Sequence, residues 1–276
     1  MTTALSDAAK PAARELTVRD LRKVYPVAGG ELEAIHRLDF TIPAGQFVCI
    51  VGPSGAGKTT LLRCVAGLQP PTSGTVELGG EKVSGPPRGL GIVFQDYSRS
   101  LLPWLTVRKN VELPLREKGV DKVTRARLTE SALEAVGLQD SMDVHPYQLS
   151  GGMQQRVAIA RAVAYQPNVL LMDEPFAAVD AQTRADLEDL VRRLWLDLGT
   201  TTLFVTHDID ESIYLAERVL VLTRRPTRIL ADVEIDLPRE REQLATRSTP
   251  RFAELRTQVH GLIQEAKREL PEEKAS

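Results

Sequence analysis

The segment GPSGAGKTT, residues 52–60, constrains the fold of this chain more than any other feature of its sequence. It fits the pattern G-x-x-x-x-G-K-S/T in full, and the almost wholly apolar run QFVCIV precedes it. A buried strand, a glycine-rich turn and a helix form the unit in which such a loop binds phosphate, because backbone N–H groups and the helix N-terminus point at the anion. The segment therefore predicts an α/β fold with a phosphate site where a buried strand ends.

Within this loop, each residue type has a predicted task. Lys58 is predicted to reach the β- and γ-phosphates, and the Thr59 hydroxyl to bind Mg²⁺. The whole loop is predicted to line a nucleotide site: Gly52, Pro53, Ser54, Gly55, Ala56, Gly57, Lys58, Thr59 and Thr60. A glycine-rich turn with a solvated lysine is the alternative, whereas a dinucleotide loop fits poorly because the spacing G-x-G-x-x-G is absent. We expect the chain to bind a nucleoside triphosphate.

Two further apolar runs end in residues that can act on such a ligand. VLLMDEP supplies Asp173, which suits Mg²⁺ through water, and Glu174, which is placed to orient or deprotonate the attacking water. LFVTHD supplies His207 after another apolar run, and strand ends converge on the ligand in open α/β sheets. A carboxylate pair at a helix N-terminus is the alternative for Asp173 and Glu174. A GTPase, a kinase or one of many ATPases is compatible with these parts.

The order of the patterns predicts the architecture. Apolar strand patterns alternate with helical ones, which predicts a mainly parallel sheet with helices on both faces. Helical patterns dominate residues 96–149, which predicts an inserted helical lobe. We expect a disordered leader at residues 1–14, a main domain at 15–238 and a helical extension at 239–276. In that extension one helical face is predicted to pack back on the body: Phe252, Leu255, Val259, Leu262 and Ile263.

Composition narrows the classes of protein to which the chain can belong. A formal net charge of -2 argues against non-specific nucleic-acid binding, which needs a basic surface. Cys49 and Cys64 are predicted to be buried thiols, which fits a reducing compartment. No apolar run approaches the ~18 residues of a membrane-spanning helix, and the N-terminus lacks the pattern of a signal peptide. Docking onto a membrane protein remains open.

The segment LSGGMQQR, residues 149–156, decides among the nucleotide-binding classes. It places Ser150 at a predicted N-cap position, followed by Gly151 and Gly152 where a helix begins, and each glycine destabilises the helix by about 1 kcal/mol relative to alanine. The segment resembles the signature motif of the ATP-binding cassette (ABC) ATPases. Other marks of that family occur in the family's order from about Leu16 to Leu237. They are Tyr25 as the aromatic that stacks on adenine, Gln95 of the Q-loop, Asp180 of the D-loop and His207 as the switch histidine.

The resemblance implies a P-loop NTPase core with a mainly parallel sheet, an antiparallel β subdomain and an inserted helical subdomain. It implies an ATP hydrolase that uses ATP and Mg²⁺, with the metal at Thr59, Gln95 and Asp173. Catalysis is assigned to four residues: Glu174, His207, Lys58 and Gln95. Two cassettes are expected to pair head to tail, so that Ser150, Gly151, Gly152 and Asp180 complete the nucleotide site of a second copy. On this view the glycine pair is compensated only when ATP bridges two chains, and a packing role is the alternative.

Three segments are similar to the nitrate/sulfonate/taurine importer subfamily: LLPWLTV, THDIDESIYLAERVLVLTRRPTRI and EIDLPRERE. This similarity implies integral-membrane permease subunits and an extracytoplasmic solute-binding protein as partners, no nucleic acid, and a peripheral position on the cytoplasmic face of a bacterial inner membrane. Residues 101–104, LLPW, form a candidate permease contact, with core packing of Trp104 as the alternative. An exporter cassette, or a soluble ABC protein of DNA repair or translation, is the other interpretation. The sequence does not predict the solute.

Overall fold

The computed structural model describes residues 12–96 and 100–268, which form two compact units. The first, here called the loop unit, comprises residues 14–88 and 201–268. The second, here called the signature unit, comprises residues 12–13, 89–96 and 100–200. Most of the predicted leader and the end of the predicted C-terminal extension lie outside the described residues. The division into leader, main domain and extension stays a prediction.

The loop unit contains most of the described strands. They are β1 (Leu16–Val27), β2 (Gly30–Ile42), β3 (Phe47–Val51), β4 (Ser73–Leu78), β5 (Glu81–Lys82), β8 (Thr201–Val205), β9 (Arg218–Leu222) and β10 (Ile229–Glu234). Its described helices are α1 (Lys58–Val65), α6 (Ile209–Leu215), α7 (Gln243–Arg247) and α8 (Pro250–Arg268).

Two sheets organise the loop unit. Strands in the order β2-β1-β4-β5 form an antiparallel sheet, whereas β3 lies between parallel neighbours β8 and β9, with β10 antiparallel on β9. Every residue of β3 is buried, as expected for an apolar strand covered on both faces. Because β3 and β8 run in parallel, the residues that follow them, Gly52 and His207, come to the same edge of the sheet.

The C-terminal helix α8 packs back on the loop unit, as predicted. It buries one face against α6, β9 and β10, and the buried residues are Phe252, Leu255, Val259, Ile263 and Ala266. Leu262, which the pattern also placed on this face, is only half-buried.

The signature unit consists mainly of helices. Its described elements are the parallel pair β6 (Leu90–Val93) and β7 (Val169–Asp173), and the helices α2 (Val107–Glu117), α3 (Lys122–Ala135), α4 (Gly151–Ala164) and α5 (Ala181–Leu198). Helices α2 and α3 pack against α4 and against each other. Between β6 and β7 the described residues form helices, turns and loops without a strand, in keeping with the helical lobe predicted at about residues 96–149.

Both cysteines are buried free thiols, as predicted. Burial raises the pKa of the Cys64 thiol, which keeps it in the neutral form. Across the described parts of the chain, no helix combines the length and apolarity needed to span a membrane.

Candidate nucleotide site

The phosphate loop lies between β3 and α1 and ends in an open helix N-terminus. Helix α1 begins at Lys58, and its N-cap residue Gly57 has φ 72°, a left-handed conformation that glycine adopts without strain. Gly57 has no side chain to cap the helix, and a helix N-terminus favours an anion.

Lys58 lies over the loop that precedes it. Its side chain is nearly buried, and its Nζ donates to the carbonyl oxygens of Gly52 at 2.9 Å and Pro53 at 3.2 Å. These bonds hold the ammonium group against the first two residues of the loop, and a phosphate oxygen can replace a carbonyl as its acceptor.

Tyr25, the predicted adenine-stacking residue, is tethered to the start of α1. Its hydroxyl group donates to Gln69 Oε1 at 3.0 Å and contacts Thr60 Oγ1 at 3.4 Å. The ammonium group of Lys23 lies 5.2 Å from the centroid of the tyrosine ring. The loop unit therefore brings Tyr25 to the phosphate loop, and it places the exposed side chain of His207 at the same sheet edge as Gly52.

The predicted catalytic acids lie at the end of β7 in the signature unit. Asp173 is the last residue of β7 and is 5% exposed, whereas Glu174 is half-buried. Since β6 and β7 are parallel, Gln95 comes to the same edge, and its Nε2 contacts Glu174 Oε2 at 3.5 Å. The structure thus brings Gln95 to Glu174, the residue that follows Asp173.

Glu174 has an unusual backbone conformation. Its φ of 42° falls in the left-handed region, which a residue with a side chain adopts at a cost of about 1–2 kcal/mol. Strain of this kind persists only where the surrounding structure imposes it, and it is concentrated at functional sites. Asp20, Arg37 and Gln166 have similar φ values, so the conformation alone does not assign Glu174 a role, and the sequence pattern does not predict it.

Ser150 is the N-cap residue of α4, as predicted. Its Oγ accepts a hydrogen bond from the Met153 N–H at 3.4 Å, and the Gln154 side chain donates to the Leu149 carbonyl at 3.1 Å. Ser150 and Gly151 are both exposed. The helix therefore begins with a polar cap and an accessible backbone, which suits an anionic ligand.

Gly152 has a partner within its own chain. A Cβ atom on Gly152 would lie 2.5 Å from Thr183 Cγ2 on α5, closer than real carbon atoms approach. The expectation that the glycine pair is compensated only across two chains is therefore wrong for Gly152. Thr183 was not predicted, because nothing in a local pattern relates α5 to the start of α4.

The same threonine holds the D-loop aspartate. Asp180 is the N-cap residue of α5, and its carboxylate accepts from the Thr183 N–H at 3.0 Å and from Thr183 Oγ1 at 2.7 Å. These two bonds hold the pKa of the Asp180 carboxyl below its ordinary value. Thr183 thus links the signature helix to an ionised Asp180.

The predicted magnesium ligands divide between the two units: Thr59 lies in the loop unit, and Gln95 and Asp173 lie in the signature unit. The side chains of Thr59, Gln95 and Asp173 offer oxygen ligands, the type that Mg²⁺ prefers. In the described parts of the chain no group of three or more histidine, cysteine, aspartate or glutamate residues could hold a metal ion.

Comparison with known proteins identifies the family. A family model for ABC transporters matches residues 35–177. This chain belongs to the ABC transporter family. The ABC cassette is 45% identical over 91% of its length to an uncharacterised ABC transporter ATP-binding protein of Methanocaldococcus jannaschii, covering 92% of that protein. It is 42% identical over 90% of its length to the nitrate import ATP-binding protein NrtD of Synechocystis sp., covering 94% of it.

A solved structure of the same family agrees in fold. The dimeric structure of a bacterial ABC transporter cassette matches with a TM-score of 0.72 and 32% identity, covering 81% of this chain and 100% of the other. The predicted family and fold class are confirmed, and the chain is an ABC-type ATPase. The roles of individual residues remain predictions.

Proposed function

We propose that this ABC cassette hydrolyses ATP in a head-to-tail homodimer and thereby drives import of a small anion through separate permease subunits. The observation that carries the proposal is the exposed, serine-capped start of α4, which offers backbone N–H groups to an anion. A phosphate held by the phosphate loop of a second copy is the ligand that suits it. The dimeric state of the bacterial cassette described above supports this arrangement.

The chemistry assigned to the residues follows from their types and placement. Lys58 and the N–H groups of α1 bind the phosphates, and Tyr25 stacks on the base. Glu174 accepts a proton from water while the water oxygen attacks the γ-phosphorus, and the bond to the ADP oxygen breaks. Thr59, Asp173 and Gln95 would hold Mg²⁺, which would neutralise phosphate charge when bound. His207 is assigned to the γ-phosphate.

The import direction and the solute class are inferred from relatives. NrtD is a nitrate import ATP-binding protein, and the cassette is also 40% identical to the bicarbonate transport ATP-binding protein CmpC of Synechococcus elongatus. We infer a nitrate-, sulfonate- or taurine-type anion, delivered by an extracytoplasmic binding protein, and a peripheral position on the cytoplasmic membrane face.

A groove in the signature unit suits the permease. It has a volume of about 400 Å³ and is lined mainly by apolar and aromatic residues: Leu90, Ile92, Phe94, Pro114 and Tyr165, with Ser100 and Arg161. Phe94 precedes Gln95 in the chain, and Gln95 contacts Glu174. A short permease helix bound in this groove would therefore lie next to Gln95. Of the contact predicted at residues 101–104, Trp104 is 70% exposed and available, whereas Leu101 is buried.

Two variants test the ATPase assignment. Glu174→Gln should retain ATP affinity within about threefold and lower kcat at least 100-fold, because a general base contributes that much.

Lys58→Ala should weaken ATP binding at least tenfold, since charge-assisted bonds are lost. Nucleotide titration and phosphate release measure both effects, with Lys82→Ala on exposed β5 as the control. Normal hydrolysis by Glu174→Gln would contradict the assignment.

The import proposal needs a separate test. The cassette, co-expressed with the permease and binding protein encoded beside it, should drive ATP-dependent accumulation of one of the named anions in proteoliposomes. Export of the solute, or no transport by a complex that hydrolyses ATP, would overturn it.

A further inference from the structure

The loop between β9 and β10, residues 223–228, contacts the phosphate loop at two consecutive carbonyl groups. Arg225 Nε donates to the Gly55 carbonyl, and Thr227 Oγ1 lies 2.6 Å from the Ala56 carbonyl oxygen. Thr227 is 0% exposed, so its hydroxyl group needs partners inside the protein. Neither Arg225 nor Thr227 belongs to a predicted motif.

The Thr227 hydroxyl group lies between two carbonyl groups. Its Oγ1 is 2.8 Å from Ala34 O and 2.6 Å from Ala56 O, and either oxygen can accept its one proton. The Ala34 carbonyl also accepts the Thr227 backbone N–H at 3.2 Å. The Ala56 carbonyl is the nearer of the two, and the hydroxyl group is the part of Thr227 that contacts it.

This bond fixes one peptide group of the phosphate loop. In a planar trans peptide the carbonyl of Ala56 and the N–H of Gly57 point in opposite directions. Since the Ala56 carbonyl points to Thr227, the Gly57 N–H of the same peptide group points away from it. The contact is tight, because a Cβ atom on Gly57 would lie 3.1 Å from Thr227 Oγ1.

We propose that Thr227 is a positioning residue for phosphate binding, acting through the peptide group between Ala56 and Gly57. The proposal rests on the proposed function, since it concerns the same ATP site. Thr227 also joins this loop to β2, because its carbonyl oxygen accepts the His36 N–H at 2.9 Å. Strand β2 pairs with β1, which carries Tyr25. Thr227 is therefore connected through β2 to the strand that carries the predicted base-stacking residue.

The test is the near-isosteric variant Thr227→Val, which removes the hydroxyl group and keeps the side-chain volume. It should weaken ATP binding about five- to tenfold and raise KM by a similar factor, with kcat changed less than twofold, because one oriented N–H donor is lost. Thr223→Val is the matched control. Thr223 lies in the same loop, and its hydroxyl group donates to Arg224 O and accepts the Arg228 N–H within that loop.

Thr227→Ser restores the hydroxyl group and should bind ATP within twofold of the wild-type chain. If Thr227→Val does not fold, Thr227→Cys replaces it, and its weak S–H donor should give an intermediate loss. Wild-type affinity in the valine variant, or equal losses in the serine and valine variants, would overturn the proposal. If the wild-type chain itself binds no ATP, the proposed function fails instead.

Discussion

At the scale of single residues, a contact at Gly152 links two motifs that are separate in the sequence, the signature motif and the D-loop. Thr183 contacts Gly152 through its methyl group and holds Asp180 through its hydroxyl group. Rotating Thr183 away from a larger side chain would break its bond to Asp180. One threonine thus contacts both the start of α4 and the D-loop aspartate.

This geometry predicts the effect of Gly152→Ala. The added methyl group should lower the free energy of unfolding by about 1–3 kcal/mol, because overpacking forces Thr183 to move. Urea denaturation measures the change. Gly261→Ala on α8, where a Cβ atom would meet nothing within 4 Å, should instead stabilise by about 0.5–1 kcal/mol.

The double variant Gly152→Ala with Thr183→Ser identifies the clashing atom. Serine lacks the methyl group and keeps the hydroxyl bond to Asp180, so most of the lost stability should return. Failure of the double variant to recover would place the strain elsewhere.

Candidate residues with local signatures could be predicted from the sequence, and residues that act through long-range contacts could not. Ser150 was expected to cap a helix because an N-cap is a local pattern, and the structure places it there. Thr227 was not found because it contacts Ala56 across 171 positions of sequence. The strained φ of Glu174 likewise comes from its surroundings.

At the scale of elements, regular strands could be predicted and irregular ones were missed. The uniformly apolar β3 was expected. Strand β1 was not, since register shifts after Val18, Leu21 and Lys23 interrupt the alternation that marks a half-buried strand. Strand β10 lies at the edge of its sheet and is mostly not buried, so it has no apolar pattern to detect.

Helix α8 is an element whose contribution to stability can be measured. Phe252 is 0% exposed within it, and Phe252→Ala should lower the free energy of unfolding by about 3–5 kcal/mol through lost burial and the cavity left behind. Leu244→Ala on α7, where the side chain is 80% exposed, should change it by less than about 0.5 kcal/mol. Equal effects in urea denaturation would mean that α8 is not part of the folded core.

At the scale of the whole molecule, the proposed dimer makes each ATP site depend on two chains. Ser150→Arg and Glu174→Gln homodimers should both be inactive, because each lacks one half of every site. In a mixed dimer one site carries both changes and the other carries neither. Mixing the two variants should therefore restore about a quarter of the wild-type ATPase rate, measured as phosphate release. No recovery in dimers shown to contain both chains would argue against the shared site.

The left-handed backbone at Glu174 also bears on how this cassette can be engineered. Glycine adopts that conformation without penalty, so a stabilisation protocol that scores folding alone would choose glycine at this position. The substitution would delete the proposed base. Position 174 is therefore one where selection for thermostability and selection for turnover favour different residues, and libraries built on this scaffold should keep it fixed.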